Sequence, residues 1–86
     1  MSSILPVRVT VEDVWDEVLL ELTPETPVGE IKRQALVLTH VRRDPSSYVL
    51  KYRGAELLDE SCSAAEAGLV PNSPLIVLSR RRRPVR

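Results

Sequence analysis

The chain has 86 residues, of which 43% are apolar and 28% charged, with a formal net charge of zero and a single cysteine, Cys62. A domain of this length buries only about 60% of the surface its unfolded chain exposes, so one domain is expected, with little room for an enclosed pocket, and no cofactor is assigned. No run approaches the roughly 18 apolar residues of a membrane span, residues 1–6 lack the regions of a secretory leader, and one cysteine excludes an intramolecular disulfide or a cysteine zinc cluster, so a cytoplasmic location is expected.

From Ile4 to Val11 the residues alternate, Leu5, Val7, Val9 and Val11 on one side and Arg8 and Thr10 on the other, the period of a half-buried strand. A polar stretch around Trp15 then separates this strand from Val18, Leu20 and Leu22, which alternate with Leu19 and Glu21, so a hairpin is predicted. Pro24 and Pro27 stop the second strand, because proline has no amide hydrogen to give to a ladder.

Thr26-Pro27 has the form of a helix start, a hydroxyl to cap free amides followed by a proline at the first helical position, and a helix is predicted over about 27–40. Val28, Ile31, Ala35 and Leu38 form its predicted core face, with Glu30, Lys32, Arg33 and Gln34 elsewhere. Gly29 is expected to permit close approach of helix and sheet. His40 sits near the helix end, where its cation would face the negative end of the macrodipole.

A loop through Pro45 leads to a strand over Tyr48–Arg53, with Leu50 and Tyr52 inward and Lys51 and Arg53 outward. Gly54 turns the chain, Leu57-Leu58 can form a very short strand, and a short 3₁₀ helix is predicted near 63–67, ending at Gly68. Leu75-Ile76-Val77-Leu78 is an apolar run suited to the centre of a sheet. The predicted order is ββαββ(3₁₀)β, an α+β arrangement over residues 1–79, followed by a basic tail, 80–86. Arg80, Arg81, Arg82, Arg83 and Arg86 supply five of the 12 basic side chains, leaving seven basic against 12 acidic in residues 1–79, a formal charge of −5.

Three segments in order carry a resemblance. Leu22-Thr23-Pro24-Glu25-Thr26-Pro27-Val28-Gly29-Glu30-Ile31-Lys32 is similar to the strand, loop and helix start of ubiquitin-like domains. Tyr48 to Asp59 is similar to their third strand, glycine turn and short fourth strand, and Ala65 to Ser73 to the turn before the last strand. The chain thus resembles the ubiquitin-like β-grasp family, which implies a roll with a mixed sheet of four or five strands and one main helix. Members that conjugate or carry sulfur act through a C-terminal Gly-Gly; here the three glycines are Gly29, Gly54 and Gly68, so a non-conjugated interaction or accessory module is expected rather than an enzyme. The central isoleucine of ubiquitin's recognition patch aligns with Lys51, so a different partner is implied.

Strand parity places Ile76 and Leu78 outward if Leu75 and Val77 face the core, beside Lys51 and Arg53, with Arg8 on the first strand. An apolar pair rimmed by cations is the predicted protein-binding surface, with Trp15 at the hairpin tip as a separate contact. Two alternatives belong to other classes: a modifier or sulfur carrier with an atypical terminus, and weak nucleic-acid binding by the arginine tail. The second is disfavoured because the tail has no interleaved aromatics and the body is acidic. Cys62 has no histidine near it in sequence, and no catalytic or metal-binding residue is assigned.

Overall fold

The computed structural model describes residues 4–79 of the chain; the arginine tail, 80–86, lies outside the described residues. Strand β1 (Leu5–Val11) and strand β2 (Asp16–Leu22) form the expected antiparallel hairpin, with Val7 opposite Leu20 and Val11 opposite Asp16. Helix α1 (Val28–Leu38) follows, then strand β3 (Tyr48–Tyr52), strand β4 (Ala55–Glu56) and strand β5 (Ser73–Ser79). The sheet runs β2-β1-β5-β3-β4, with β5 inserted parallel to β1 and antiparallel to β3.

The period-2 pattern is realised in full on the inner face. Leu5, Val7, Val9, Val11, Leu20, Leu22, Leu50, Leu75 and Val77 are all buried and pack against Val28, Ile31, Ala35 and Leu36 of α1. Dry apolar surface removed from water is the main stabilising contribution here, about 25 cal/mol per Å². Tyr52 is inward as expected and half-buried, and its hydroxyl lies 3.4 Å from Ser73 Oγ.

The helix departs from expectation in several ways. It is shorter than predicted, and its buried stripe is Val28, Ile31, Lys32, Ala35, Leu36, while Leu38 is 53% exposed. These positions, with buried Thr39, follow the i, i+3, i+4, i+7, i+8 steps of one helix face; a lysine standing in that face concealed it. Thr26 does not cap the helix: its Oγ1 accepts from Thr23 N at 3.0 Å and closes the preceding turn. The free amides of the first turn instead donate to loop carbonyls, Val28 N to Cys62 O and Gly29 N to Glu60 O, each at 2.9 Å. Gly29 therefore permits close approach of this loop, not of the sheet; a Cβ there would stand 3.2 Å from Glu60 Cβ.

The second half shows three further corrections. The 3₁₀ helix lies at Pro45–Ser47, started by Asp44 Oδ1 accepting from Ser46 N, and not at 63–67. Residues 64–68 form consecutive turns opened by a capping box, Ser63 N donating to Glu66 Oε1 and Glu66 N to Ser63 Oγ. The short strand is Ala55–Glu56 rather than Leu57-Leu58, because β3 ends at Tyr52. Arg53 and Gly54, with φ of 56° and 81°, make a two-residue turn that pairs Tyr52 with Ala55 at once.

Candidate functional site

The outer face of the sheet is laid out by register. One row crosses all five strands: Glu17 on β2, Thr10 on β1, Ile76 on β5, Lys51 on β3 and Glu56 on β4. Ile76, 42% exposed, stands at the middle of this row between a threonine and a lysine. On one side lies the row Leu19, Arg8, Pro74; on the other Leu78 pairs with Val49.

The structure brings Arg8, Lys51, Ile76 and Leu78 onto one face, as strand parity predicts. Arg53 does not join them. It stands in the turn beyond β3, with its guanidinium carbon 5.7 Å from the Tyr52 ring centroid, a cation–π distance to a residue of the inner side. Leu78 is only half-exposed, and Val49 beside it is buried, 6% exposed, despite its outward position. The apolar centre of the face is thus Ile76 rather than an Ile76–Leu78 pair.

Leu19 was legible as outward but was not assigned to the site. It is 62% exposed beside Arg8, and with Arg8, Glu17, Val18 and Asn72 it lines an open cleft of about 360 Å³. Asn72, in the left-handed region at φ 67°, is held there by its amide donating to Pro6 O at 2.6 Å. An apolar residue at an outward position of an alternating strand was the available signal, and its place at a free-standing register step needed the β1–β2 pairing.

Trp15 sits at the β1–β2 tip, 79% exposed and at φ 50°, in the turn before β2 and not itself in the row through Ile76. The tip is fixed by Tyr48, whose buried hydroxyl donates to Asp13 Oδ2 at 2.6 Å; burial and the neighbouring carboxylate both raise the phenol above its usual range. Cys62 is half-buried in the loop that covers the start of α1. His40 follows the helix with φ 62° and its amide donating to Val37 O.

The helix presents a different surface. Glu30 accepts from Arg33 and Gln34, and chiefly the Arg33 hydrogen bond lowers its carboxyl from 4.5 to about 2. Next to it Val37 and Leu38, more than half exposed, border a smaller hollow of about 170 Å³ with Arg33 and Gln34. Among the described residues no helix is long and apolar enough to cross a membrane.

No protein-family model matches the chain, and no curated protein matches it in sequence at a significant score. Solved structures do match. The ubiquitin of Caldiarchaeum subterraneum is 16% identical, with a TM-score of 0.78 over 95% of this chain and 100% of that one. The ubiquitin-like domain of Arabidopsis thaliana protein At2g32350 is 18% identical, with a TM-score of 0.76 over 96% of this chain and 84% of that one. The N-terminal ubiquitin-like domain of the 4931431F19Rik protein is 22% identical, with a TM-score of 0.73 over 100% of this chain and 84% of that one. At such identities the likeness is one of architecture, and together with the sheet order it establishes that this chain has the ubiquitin-like β-grasp fold.

Proposed function

We propose that this chain is a non-catalytic, non-conjugated interaction or accessory module that binds a protein partner through the outer face of its sheet, in the cytoplasm. The observation that carries the reading is the exposed Ile76 set between Thr10 and Lys51, with Leu19 and Arg8 in the neighbouring row. A central aliphatic that can be desolvated, ringed by cationic and polar side chains, has the anatomy of a small protein-binding patch. The ubiquitin-like fold supports a binding role over catalysis. Arg8, Lys51, Ile76 and Leu19 are the contacts assigned; Arg53 is withdrawn to the rim because its guanidinium is engaged with Tyr52.

The test is affinity capture from a lysate of the source cells with the full chain, the double variant Lys51→Glu, Ile76→Asp, and the helix variant Val37→Asp. A partner retained by wild type and the helix variant and lost with the double variant supports the outer face. Loss only with the helix variant refutes it.

A further inference from the structure

The open cleft beside Leu19 has a chemistry of its own. Arg8 stands at its middle, opposite Leu19 on β2 and Pro74 on β5. Asn72 closes one end, next to Pro6, and Glu17 the other, opposite Thr10. Pro6 and Thr10 are four residues apart on β1, about 13 Å, so the cleft runs from an asparagine, past an arginine, to a glutamate.

Three other cations are engaged within the domain. Lys32 pairs with Glu60, Arg33 with Glu30, and Arg53 lies against the Tyr52 ring. Arg8 is exposed and, among the described residues, has neither an ion pair nor a side-chain hydrogen bond, and the Asn72 carboxamide likewise makes none. Glu17, diagonal to Arg8 across the hairpin, is not within ion-pair distance of it. Leu19, 62% exposed directly opposite Arg8, offers an apolar surface that a ligand would cover. Water excluded there strengthens any pair the guanidinium makes.

We infer that this cleft seats one acidic side chain of the partner protein, its carboxylate accepting from the Arg8 guanidinium and the Asn72 carboxamide, with an adjacent aliphatic side chain of the partner lying on Leu19. Charge complementarity names the occupant: a guanidinium presents two N–H groups in the fork that a carboxylate fits, and an amide donor stands at the same end. Glu17 repels a second acid at the far end, so a single acid next to an aliphatic residue fits better than an acidic run. The inference rests on the reading that the outer face binds a protein, and it adds the partner's chemistry at one edge of that face.

The probe is the capped tripeptide acetyl-Glu-Ala-Leu-amide, whose acidic and aliphatic side chains share one side of an extended segment, roughly 7 Å apart. It is titrated into the isotope-labelled full chain, with acetyl-Gln-Ala-Leu-amide as control, and read from the NMR shifts of the Arg8 Nε–H and the Leu19 amide. The acidic peptide should give saturable shifts with a Kd of about 1–10 mM. The glutamine control, and the acidic peptide on Arg8→Gln, should bind at least about fivefold more weakly, while Glu17→Gln should tighten the acidic peptide. The spectrum of each variant checks that it is folded. No saturable shift, equal affinity for the two peptides, or wild-type binding by Arg8→Gln overturns the inference. The affinity capture above separates the two readings when Arg8→Gln is added to it. A partner kept by Arg8→Gln but lost with Lys51→Glu, Ile76→Asp leaves the outer face standing and overturns the acid site. Peptide binding at Arg8 with no partner captured leaves the acid site standing and counts against the wider face.

Discussion

The inner face of the sheet and the seam between α1 and the loop 59–65 are buried alike but held by different physics. The centre of the inner face is a dry apolar layer whose buried side chains are at most 6% exposed. The seam is polar. Lys32, 2% exposed, donates from Nζ to Tyr48 O at 2.9 Å and pairs with Glu60 Oε2, while Ala64 N donates to Thr26 O and Ala65 N to Pro24 O. The difference teaches that burial in this domain is read from periodicity only where it is apolar. Where the buried group is charged, its partners lie far along the chain and only the fold joins them.

The largest effect that sharpens this contrast is expected on the dry side. Leu50→Ala should lower stability by about 2–5 kcal/mol, measured by urea unfolding, since the cavity in a fully packed layer cannot be refilled. Lys32→Met keeps the volume and removes the charge, leaving Tyr48 O without its donor. It should cost about 1–3 kcal/mol, and a gain in stability would show the seam to be dispensable. Glu60 is partly exposed and can be rewetted, so Glu60→Gln should do less than Lys32→Met.

Ser63→Ala removes one half of the capping box beside the seam and should cost about 1 kcal/mol by the same measurement. The smallest effect concerns the exposed face of α1. Glu30 has a carboxyl pKa lowered in the folded chain to about 2, against an ordinary 4.5. Its contribution is therefore present above about 4.5 and fades as pH falls toward about 2. Because the pair with Arg33 is open to solvent, that contribution stays below about 0.5 kcal/mol. Carbon-detected NMR titration should find the Glu30 carboxyl depressed, and Arg33→Ala should move it back toward 4.5.

Much of the architecture was legible because β1, β2 and β5 alternate cleanly: Val7, Val9 and Val11, or Leu75 and Val77, state their face without help. Strand ends were less legible. Nothing local distinguished Arg53 as a strand residue from Arg53 as a turn residue; the Tyr52–Ala55 pairing decides it. Lys32 was misplaced because a charged residue in a helix reads as solvated until a carbonyl and a carboxylate are found for it. Ser63-Ala64-Ala65-Glu66 does carry a local sign of its turn, the Ser-x-x-Glu spacing of a capping box. For the outer face, parity located Arg8, Lys51, Ile76 and Leu78. It could not show that Val49 and Leu78 lie partly covered or that Leu19 stands beside Arg8, since both depend on neighbours across strands.

The central claim is that the row through Ile76 is where a partner protein binds. Its most direct test places a photo-crosslinking amino acid at position 76, at position 19 and, on the helix, at position 37, and irradiates each in cells. The account predicts one common protein adduct from positions 76 and 19, absent from 37 and lost when Lys51→Glu is added. An adduct formed from position 37 alone, or one from 76 that is indifferent to Lys51→Glu, would contradict it.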